Sequence, residues 1–125
     1  MEAELGGYDL RVIRPGENAC MSRAMREADL VVTGQGRTVL EAAASGTPCL
    51  SLAANERESR HIRIPGIVYL GLHSTVHMVP LLHAVNETMG MGSWALRTEM
   101  AQTARAQVDD RGADRLARAI EGLVM

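Results

Sequence analysis

A short apolar run in the first third of the chain constrains the fold more than any other segment. Residues 30–33 read Leu-Val-Val-Thr, without alternation of polar and apolar side chains. Such a run is typical of a strand covered on both faces, as in a parallel sheet flanked by helices. A Gly-Gln-Gly turn follows at residues 34–36, and residues 38–45 are strong helix formers that end at Gly46. This segment therefore predicts a strand, a glycine turn and a helix in succession.

Strand and helix patterns alternate along most of the chain. Strands are predicted at residues 10–13, 30–33, 49–52 and 67–70, and helices at residues 20–28, 38–45, 74–89, 93–108 and 113–124, with a polar loop or short helix at residues 55–61. This alternation predicts an α/β fold, a Rossmann-like parallel sheet of about four strands flanked by helices. Because no linker or repeat divides the chain, we expect a single domain over residues 1–125.

Composition and charge exclude several classes of protein. The chain is 46% hydrophobic but has no Phe, one Trp and two Tyr, so its core is expected to be aliphatic and rich in Met. Single-stranded nucleic acid would need aromatic stacking platforms that this composition does not offer. The net charge of −2 gives no attraction to DNA or RNA. No apolar run has the length of a membrane span, and a cytoplasmic protein is expected.

Neither the cysteines nor the histidines form a convincing metal site. Cys20 and Cys49 lack the paired spacing of zinc ligands, and the apolar residues around each predict a reduced, buried thiol. His73 and His77 have the spacing of one helix face, but a third ligand is not evident. We expect no bound metal and no cofactor.

The turn at residues 34–36 has the character of a phosphate site. Ligands of open α/β sheets bind beyond the carboxyl ends of the strands, and a helix N-terminus offers free N–H groups and partial positive charge. Gly34 and Gly36 are expected to allow backbone angles and a close approach that a side chain would block. Two better-known motifs do not fit. The dinucleotide-binding motif needs a third Gly where Val39 stands, and no Gly-Lys-Ser/Thr completes a P-loop.

Four polar residues in or after the turn each have a structural and a functional interpretation. Thr38 and Glu41 match the Thr-x-x-Glu capping box of a helix start, whereas a ligand would take the hydroxyl near a phosphate and the carboxylate on ribose hydroxyls. Arg37 either pairs with phosphate or stays solvated in the first helical turn. His61, among several arginines, either grips a substrate or belongs to a solvated face.

The turn and its flanks resemble the C-terminal domain of GT-B glycosyltransferases. Residues 28–49 follow that template, with Ala-Asp-Leu, an apolar strand, a Gly-rich turn, Thr-x-x-Glu, a helix of small residues and Gly-x-Pro. The likeness is to the lipid-intermediate N-acetylglucosaminyltransferase of peptidoglycan synthesis, the pseudaminic acid nucleotide-sugar hydrolase and spore-coat polysaccharide proteins. Residues 52–61 look like the family's loop after the next strand, and residues 108–116 look like its C-terminal turn.

The resemblance implies a donor site but no catalytic residue. On its pattern Gly34, Gln35, Gly36, Arg37 and Thr38 line the diphosphate side, Glu41 holds the ribose, and Asn55 and Glu56 lie on the sugar side. The ligand would be a UDP- or CMP-sugar used in surface polysaccharide or nonulosonic-type sugar synthesis, by transfer or by hydrolysis. The larger side chains of Gln35 and Arg37 depart from the family's usual small turn residues.

Length implies that this domain acts with another. GT-B enzymes work in a cleft between two Rossmann-like domains, and the 125 residues hold no N-terminal acceptor domain. The pattern also implies that the domain lacks its first strand-helix unit or units. We therefore expect half of an enzyme that needs a partner domain or chain. The alternative is a non-catalytic fragment acting as an oligomerisation or scaffolding module, in which the unfinished sheet edge pairs with another chain.

Overall fold

The computed structural model describes residues 7–14, 16–17, 20–76, 78–109 and 111–124. In chain order its elements are α1 (Met21–Glu27), β1 (Val31–Gly34), α2 (Thr38–Ser45), β2 (Cys49–Ala53), α3 (Glu56–Ser59), β3 (Val68–Leu72), α4 (Met78–Met89), α5 (Trp94–Arg105) and α6 (Gly112–Val124). The predicted alternation of strands and helices is confirmed, and the chain is an α/β protein with a parallel sheet.

The sheet has three described strands in the order β1-β2-β3, and both pairs are parallel. β1 and β2 pair in regular register from Val31 opposite Cys49 to Gly34 opposite Leu52. Between β2 and β3 the register shifts, because β3 carries one extra residue before Leu72. The shift lies at Gly71, whose φ of +121° is open to glycine and strained for other residues.

The predicted first strand at residues 10–13 is not a strand in the structure. This segment has no strand partner in the described chain, and Leu10 and Val12 are exposed. Just before it, the Tyr8 hydroxyl donates a 2.6 Å hydrogen bond to the side-chain oxygen of Asn86 on α4. Its apolar pattern therefore pairs with no strand of the described residues, among which the sheet has three strands instead of the expected four.

Two apolar cores lie on the two faces of the sheet. Cys49 belongs to one core and its neighbour Leu50 to the other, because successive strand side chains point to opposite faces. The first core is formed by Met25, Val39, Ala42, Ala43, Cys49, Ile64 and Ala104, and the second by Leu50, Leu81, Val85 and Met100. Both cores lack Phe and Trp, so the predicted aliphatic, Met-containing interior is confirmed.

Helix α2 begins and ends where the sequence predicts. Gly46 follows it in the left-handed conformation, with φ of 69°, and its N–H donates to the carbonyls of Ala42 and Ala43. The next residue, Thr47, is buried, and its hydroxyl donates a 2.7 Å hydrogen bond to the Met25 carbonyl in α1. This bond ties the two helices together on one face of the sheet.

The three helices of the last third are confirmed, α4 and α5 with shorter bounds than predicted and α6 with one more residue at its start. Pro80 is the third residue of α4, where its missing N–H costs no helical hydrogen bond. Helix α5 contributes Met100 to one core and Ala104 to the other. Helix α6 differs, since every one of its residues is exposed. No helix among the described residues combines the length and apolar character needed to cross a membrane.

The two cysteines have different environments. Cys49 is buried in β2, as predicted, whereas Cys20 is exposed just before α1, and the prediction that it is buried is wrong. Apolar sequence neighbours misled the prediction, because α1 directs Met25 and not its first turn into the core.

Candidate functional site

The residues of the predicted donor site all lie at the carboxyl edge of the sheet. Gly34 is the last residue of β1, Thr38 is the first of α2, and Asn55 and Glu56 begin α3 just after β2. β1 and β2 are neighbouring parallel strands, so the two loops meet at one edge. The Gln35 N–H donates a 2.8 Å hydrogen bond to the Leu52 carbonyl and joins them directly.

The start of α2 presents a run of backbone donors. The first N–H groups with partners in the helix are those of Val39, which donates to the Gly36 carbonyl, and Leu40, which donates to the Arg37 carbonyl. Within the described chain, the N–H groups of Gly36, Arg37 and Thr38 have no acceptor. Three successive donors at the positive end of a helix dipole are suited to an anion.

Neither glycine of the turn is required by the backbone itself. Gly34 and Gly36 are not among the glycines with positive φ, so the expectation of special backbone angles is wrong. A Cβ built on Gly34 would make only ordinary contacts, and a Cβ built on Gly36 would meet nothing within 4 Å. Because Gly36 has no side chain, it leaves open space beside the free N–H groups.

The capping-box interpretation of Thr38 and Glu41 is wrong. The N-cap is Arg37, whose backbone is already helical and whose side chain makes no capping bond. A capping-box Thr must precede the helix in an extended conformation, whereas Thr38 is inside it. Glu41 is exposed in the first turn of α2, and no side-chain hydrogen bond is described for either residue. Neither side chain therefore caps α2 in the described structure.

Gln35 is part of the protein interior. Its side chain is 1% exposed, its carbonyl accepts a 2.5 Å hydrogen bond from the Ser51 hydroxyl, and its amide donates to the Ile62 carbonyl at 3.3 Å. The first bond joins the glycine turn to β2, and the second joins it to the loop after α3. The buried Gln35 side chain therefore supports the carboxyl edge of the sheet from inside the protein. Only the neighbouring residues of the turn lie at the surface. The sequence offers one indication of this role, which is a large polar residue within a glycine turn.

Asn55 and Glu58 form a cap that the sequence analysis missed. The Asn55 side-chain oxygen accepts from the Glu58 N–H at 2.9 Å, and the Glu58 carboxylate accepts from the Ala54 N–H at 3.0 Å. The signal was present, since Asn followed three residues later by Glu is a helix-start pattern. A Cβ on Gly34 would lie 3.6 Å from the same Glu58 carboxylate. The Glu58 carboxylate therefore lies beside the glycine turn.

Most charges of the α3 region are paired or stacked with each other. Glu56 lies 3.7 Å from Arg60 one helical turn away, with both side chains largely exposed. The Arg63 guanidinium lies 4.2 Å from the centre of the Tyr69 ring. His61 is exposed, and only its backbone N–H is bonded, to Glu58. These contacts fit the interpretation of a solvated polar face. Arg37, also exposed, remains the cation nearest in sequence to the three free N–H groups.

The C-terminal turn that carried part of the resemblance is held by an ion pair. Both oxygens of Asp109 accept hydrogen bonds from the Arg115 guanidinium, at 3.0 and 2.9 Å, and one also accepts from the Arg111 N–H at 2.9 Å. Arg115 and then Arg111 lower the pKa of Asp109 below its usual value. This contact fixes the start of α6 and does not reach the carboxyl edge.

Neither a metal cluster nor a deep cavity marks the predicted site. Among the described residues no three His, Cys, Asp or Glu side chains are grouped to hold a metal, and His77 lies outside those residues. Two shallow depressions of about 330 and 300 Å³ share Gly46, Ala101 and Gln102 and lie at the opposite edge of the sheet. Neither depression includes a residue of the turn at residues 34–38.

Comparison with protein-family models, curated proteins and solved structures returned no match. The class that the geometry defines is an α/β protein with a three-stranded parallel sheet and an anion-compatible turn at its carboxyl edge.

Proposed function

We propose that this chain binds the phosphate and ribose of a nucleotide sugar, UDP- or CMP-linked, as one half of a glycosyltransferase or nucleotide-sugar hydrolase. The observation that carries the proposal is the run of three free N–H groups at Gly36, Arg37 and Thr38 beside the open space at Gly36. Backbone donors at a helix N-terminus bind phosphate with little further help. The resemblance of residues 28–49 to GT-B C-terminal domains supplies the ligand class.

Two side chains complete the proposed contacts. The Arg37 guanidinium pairs with a phosphate oxygen, and with the helix dipole it stabilises the diphosphate as it leaves. The Glu41 carboxylate accepts hydrogen bonds from the ribose hydroxyls, a role left open because it makes no cap. Gln35 and Asn55 act differently from the expectation, since their side chains hold the loops in place.

The chemistry itself requires a second domain or chain. The acceptor or attacking water and its general base would come from that partner across the cleft, so we assign no catalytic residue here. This chain supplies donor binding and leaving-group stabilisation for glycosyl transfer or hydrolysis in surface polysaccharide or nonulosonic-type sugar synthesis.

Isothermal titration with UDP, CMP and their sugar conjugates tests the proposal. Gly36→Ala places a methyl group where the phosphate approaches, so affinity should fall at least about tenfold, while the free energy of unfolding stays level or rises by up to about 1 kcal/mol. Gly122→Ala is the matched control, because its Cβ also meets nothing within 4 Å but lies in α6. A folded chain that binds neither nucleotide at millimolar concentration would overturn the proposal.

A second candidate function is supported by the outer edge of β1. Val31 and Gln35 donate their N–H groups toward β2, so the backbone groups of Val32 between them point away from it. No described strand pairs with that edge, and Val32 is 47% exposed. The outer edge of β1 is therefore suited to pairing with a strand of another chain, as in an oligomerisation or scaffolding module. A concentration-independent monomer that binds nucleotide would contradict this alternative.

A further inference from the structure

The outer edge of β1 and residues 10–13 both lack a partner in the described chain. Val32 directs its backbone N–H and carbonyl groups away from β2, and its side chain is half exposed. Residues 10–13, named here the strap, read Leu-Arg-Val-Ile, and no described strand pairs with them. Leu10 and Val12 are 43% and 42% exposed. One chain therefore holds both an open sheet edge and an unpaired segment of strand-forming sequence.

The path of the chain leads the strap to that edge. Helix α1 follows the strap and precedes β1, and it lies on the same face of the sheet as α2, since Met25 and Val39 share one core. Crossovers between parallel strands are right-handed, so two of them with helices on one face step across the sheet in one direction. Because β2 lies on one side of β1, the strap belongs on the other side. Residues 14–30 exceed the dozen or so residues that such a crossover needs.

The side chains of the strap match the exposed apolar surface at this edge. Tyr8 packs against the second core, and strand alternation from Tyr8 onward places Leu10 and Val12 on the same face. Val32 lies opposite Leu50 in the register of the sheet, and Leu50 belongs to that same core. A strap paired with β1 therefore brings Leu10 and Val12 beside Val32. Three partly exposed side chains then cover one another, which favours the pairing.

The strap of the same chain has an advantage over a strand of another chain. The Tyr8 hydroxyl donates its 2.6 Å hydrogen bond to Asn86 on α4, which holds the segment just before the strap on the body of the protein. After the strap, α1 is held to α2 by the bond from Thr47 to the Met25 carbonyl. The strap thus lies between two fixed points. Its pairing is intramolecular and loses less freedom than the capture of a separate chain.

We infer that the strap closes on the outer edge of β1 as a fourth parallel strand and keeps the strands of other chains from that edge. The described structure holds the strap in its open position. The inference names what regulates the edge of the second candidate function, and it rests on that function only for what an open edge does. It does not rest on the nucleotide-sugar site.

Hydrogen exchange at the Val32 amide of the full chain tests the closing. Pairing with the strap should slow this exchange at least about tenfold below the intrinsic rate, to the same extent at every protein concentration. Arg11→Pro combined with Val12→Pro removes whichever strap N–H faces β1, so Val32 should then exchange at the intrinsic rate. Arg11→Thr combined with Val12→Ile is the matched control, because it keeps both N–H groups and suits a strand. The Gln35 amide, which donates to Leu52, should stay protected in all three chains.

Exchange at the intrinsic rate in the wild type, or equal protection of Val32 in the proline variant, would overturn the strap. Protection that grows with protein concentration would also overturn it, because another chain would then cover the edge. Sedimentation measures the consequence, and the proline variant should self-associate at least about tenfold more tightly than the wild type. A proline variant that loses protection at Val32 and stays monomeric would support the closing of the strap and overturn the second candidate function.

Discussion

Substitution of Glu41 distinguishes a role in helix stability from a role in ligand binding. Because it makes no cap, Glu41→Ala should lower the free energy of unfolding by no more than about 0.3–1 kcal/mol, the helix-dipole contribution of an exposed acid in the first turn. Nucleotide affinity should fall at least about tenfold, since two hydrogen bonds to ribose hydroxyls are lost. Calorimetric titration and urea denaturation of the same preparation measure the two effects.

Glu41→Gln serves as the control for charge. It keeps one hydrogen-bond acceptor and removes the carboxylate, so its affinity should lie between those of the wild type and of Glu41→Ala. A large loss of stability with unchanged affinity would show that Glu41 supports the helix and not the ligand.

The two cysteines should react very differently. Cys20 is exposed, and its pKa is lowered by a hydrogen bond with the Ser22 hydroxyl and by the nearby Arg23 N–H, so it is more thiolate at a given pH than an ordinary cysteine. Burial raises the pKa of Cys49 to about 12. Iodoacetamide at about pH 8 should therefore modify one thiol per native chain, as read by intact mass.

Cys20→Ser should remove that modification, and denaturant should restore reaction at Cys49. Equal labelling of both thiols in the native chain would contradict the burial of Cys49. Sequence neighbours predicted the same environment for both, because they do not reveal which face of α1 meets the core.

At the scale of elements, Gly66 controls how the turn before β3 meets α5. Its φ is +94°, and a Cβ there would lie 2.6 Å from both the Ala104 nitrogen and the Met100 oxygen. Gly66→Ala should therefore destabilise the chain by about 3 kcal/mol or more, from left-handed strain and a clash with helix backbone. Urea denaturation measures the change in the free energy of unfolding.

Gly92→Ala is the matched control for strain alone. Gly92 has a similar φ of +85°, but its Cβ would meet nothing within 4 Å. The expected cost is about 1–2 kcal/mol. Equal costs at the two glycines would mean that the Gly66 turn does not pack against α5 as described.

The start of α6 should depend on pH through Asp109. Its native pKa is lowered by Arg115 and by the Arg111 N–H, so the stabilisation is present above the ordinary pKa of about 3.9 and is lost as pH falls through the lowered native value. Measured relative to intrinsic exchange at the same pH, the protection of the Arg111 and Arg115 amides should therefore fall below about pH 4. Asp109→Asn should show fast exchange at neutral pH, whereas Glu121→Gln should retain the wild-type profile.

Helix α2 and residues 10–13 show what local sequence patterns can and cannot predict. Residues 38–45 combine helix formers with a Gly stop, and local chemistry alone fixed α2 correctly at both ends. Residues 10–13 have an equally good strand pattern, but a strand exists only where a neighbour pairs with it, and that depends on distant parts of the chain. The carboxyl-edge location of the site followed from strand order. The internal role of Gln35 did not, because it depends on which polar groups burial leaves without a partner. The exposed Asn55 cap is different, since its Asn-x-x-Glu pattern is visible in the sequence but was not predicted.

For the whole molecule, the cores and the exposed surfaces divide the chain into parts with separable roles. The sheet with α1 to α5 holds every described core residue, and the donor turn lies at its carboxyl edge. Helix α6 adds no buried side chain to that body. Donor binding is therefore expected not to depend on α6.

Ending the chain at Arg111 tests this division. The shortened protein should unfold cooperatively in urea, with a free energy of unfolding within about 1 kcal/mol of the full chain, because surface losses of this kind are small. It should also keep its nucleotide affinity. Ending the chain at Ser93 is the contrasting control, since it removes Met100 and Ala104 from the two cores and should abolish folding. A non-cooperative transition in the chain ending at Arg111 would show that α6 supports the body after all.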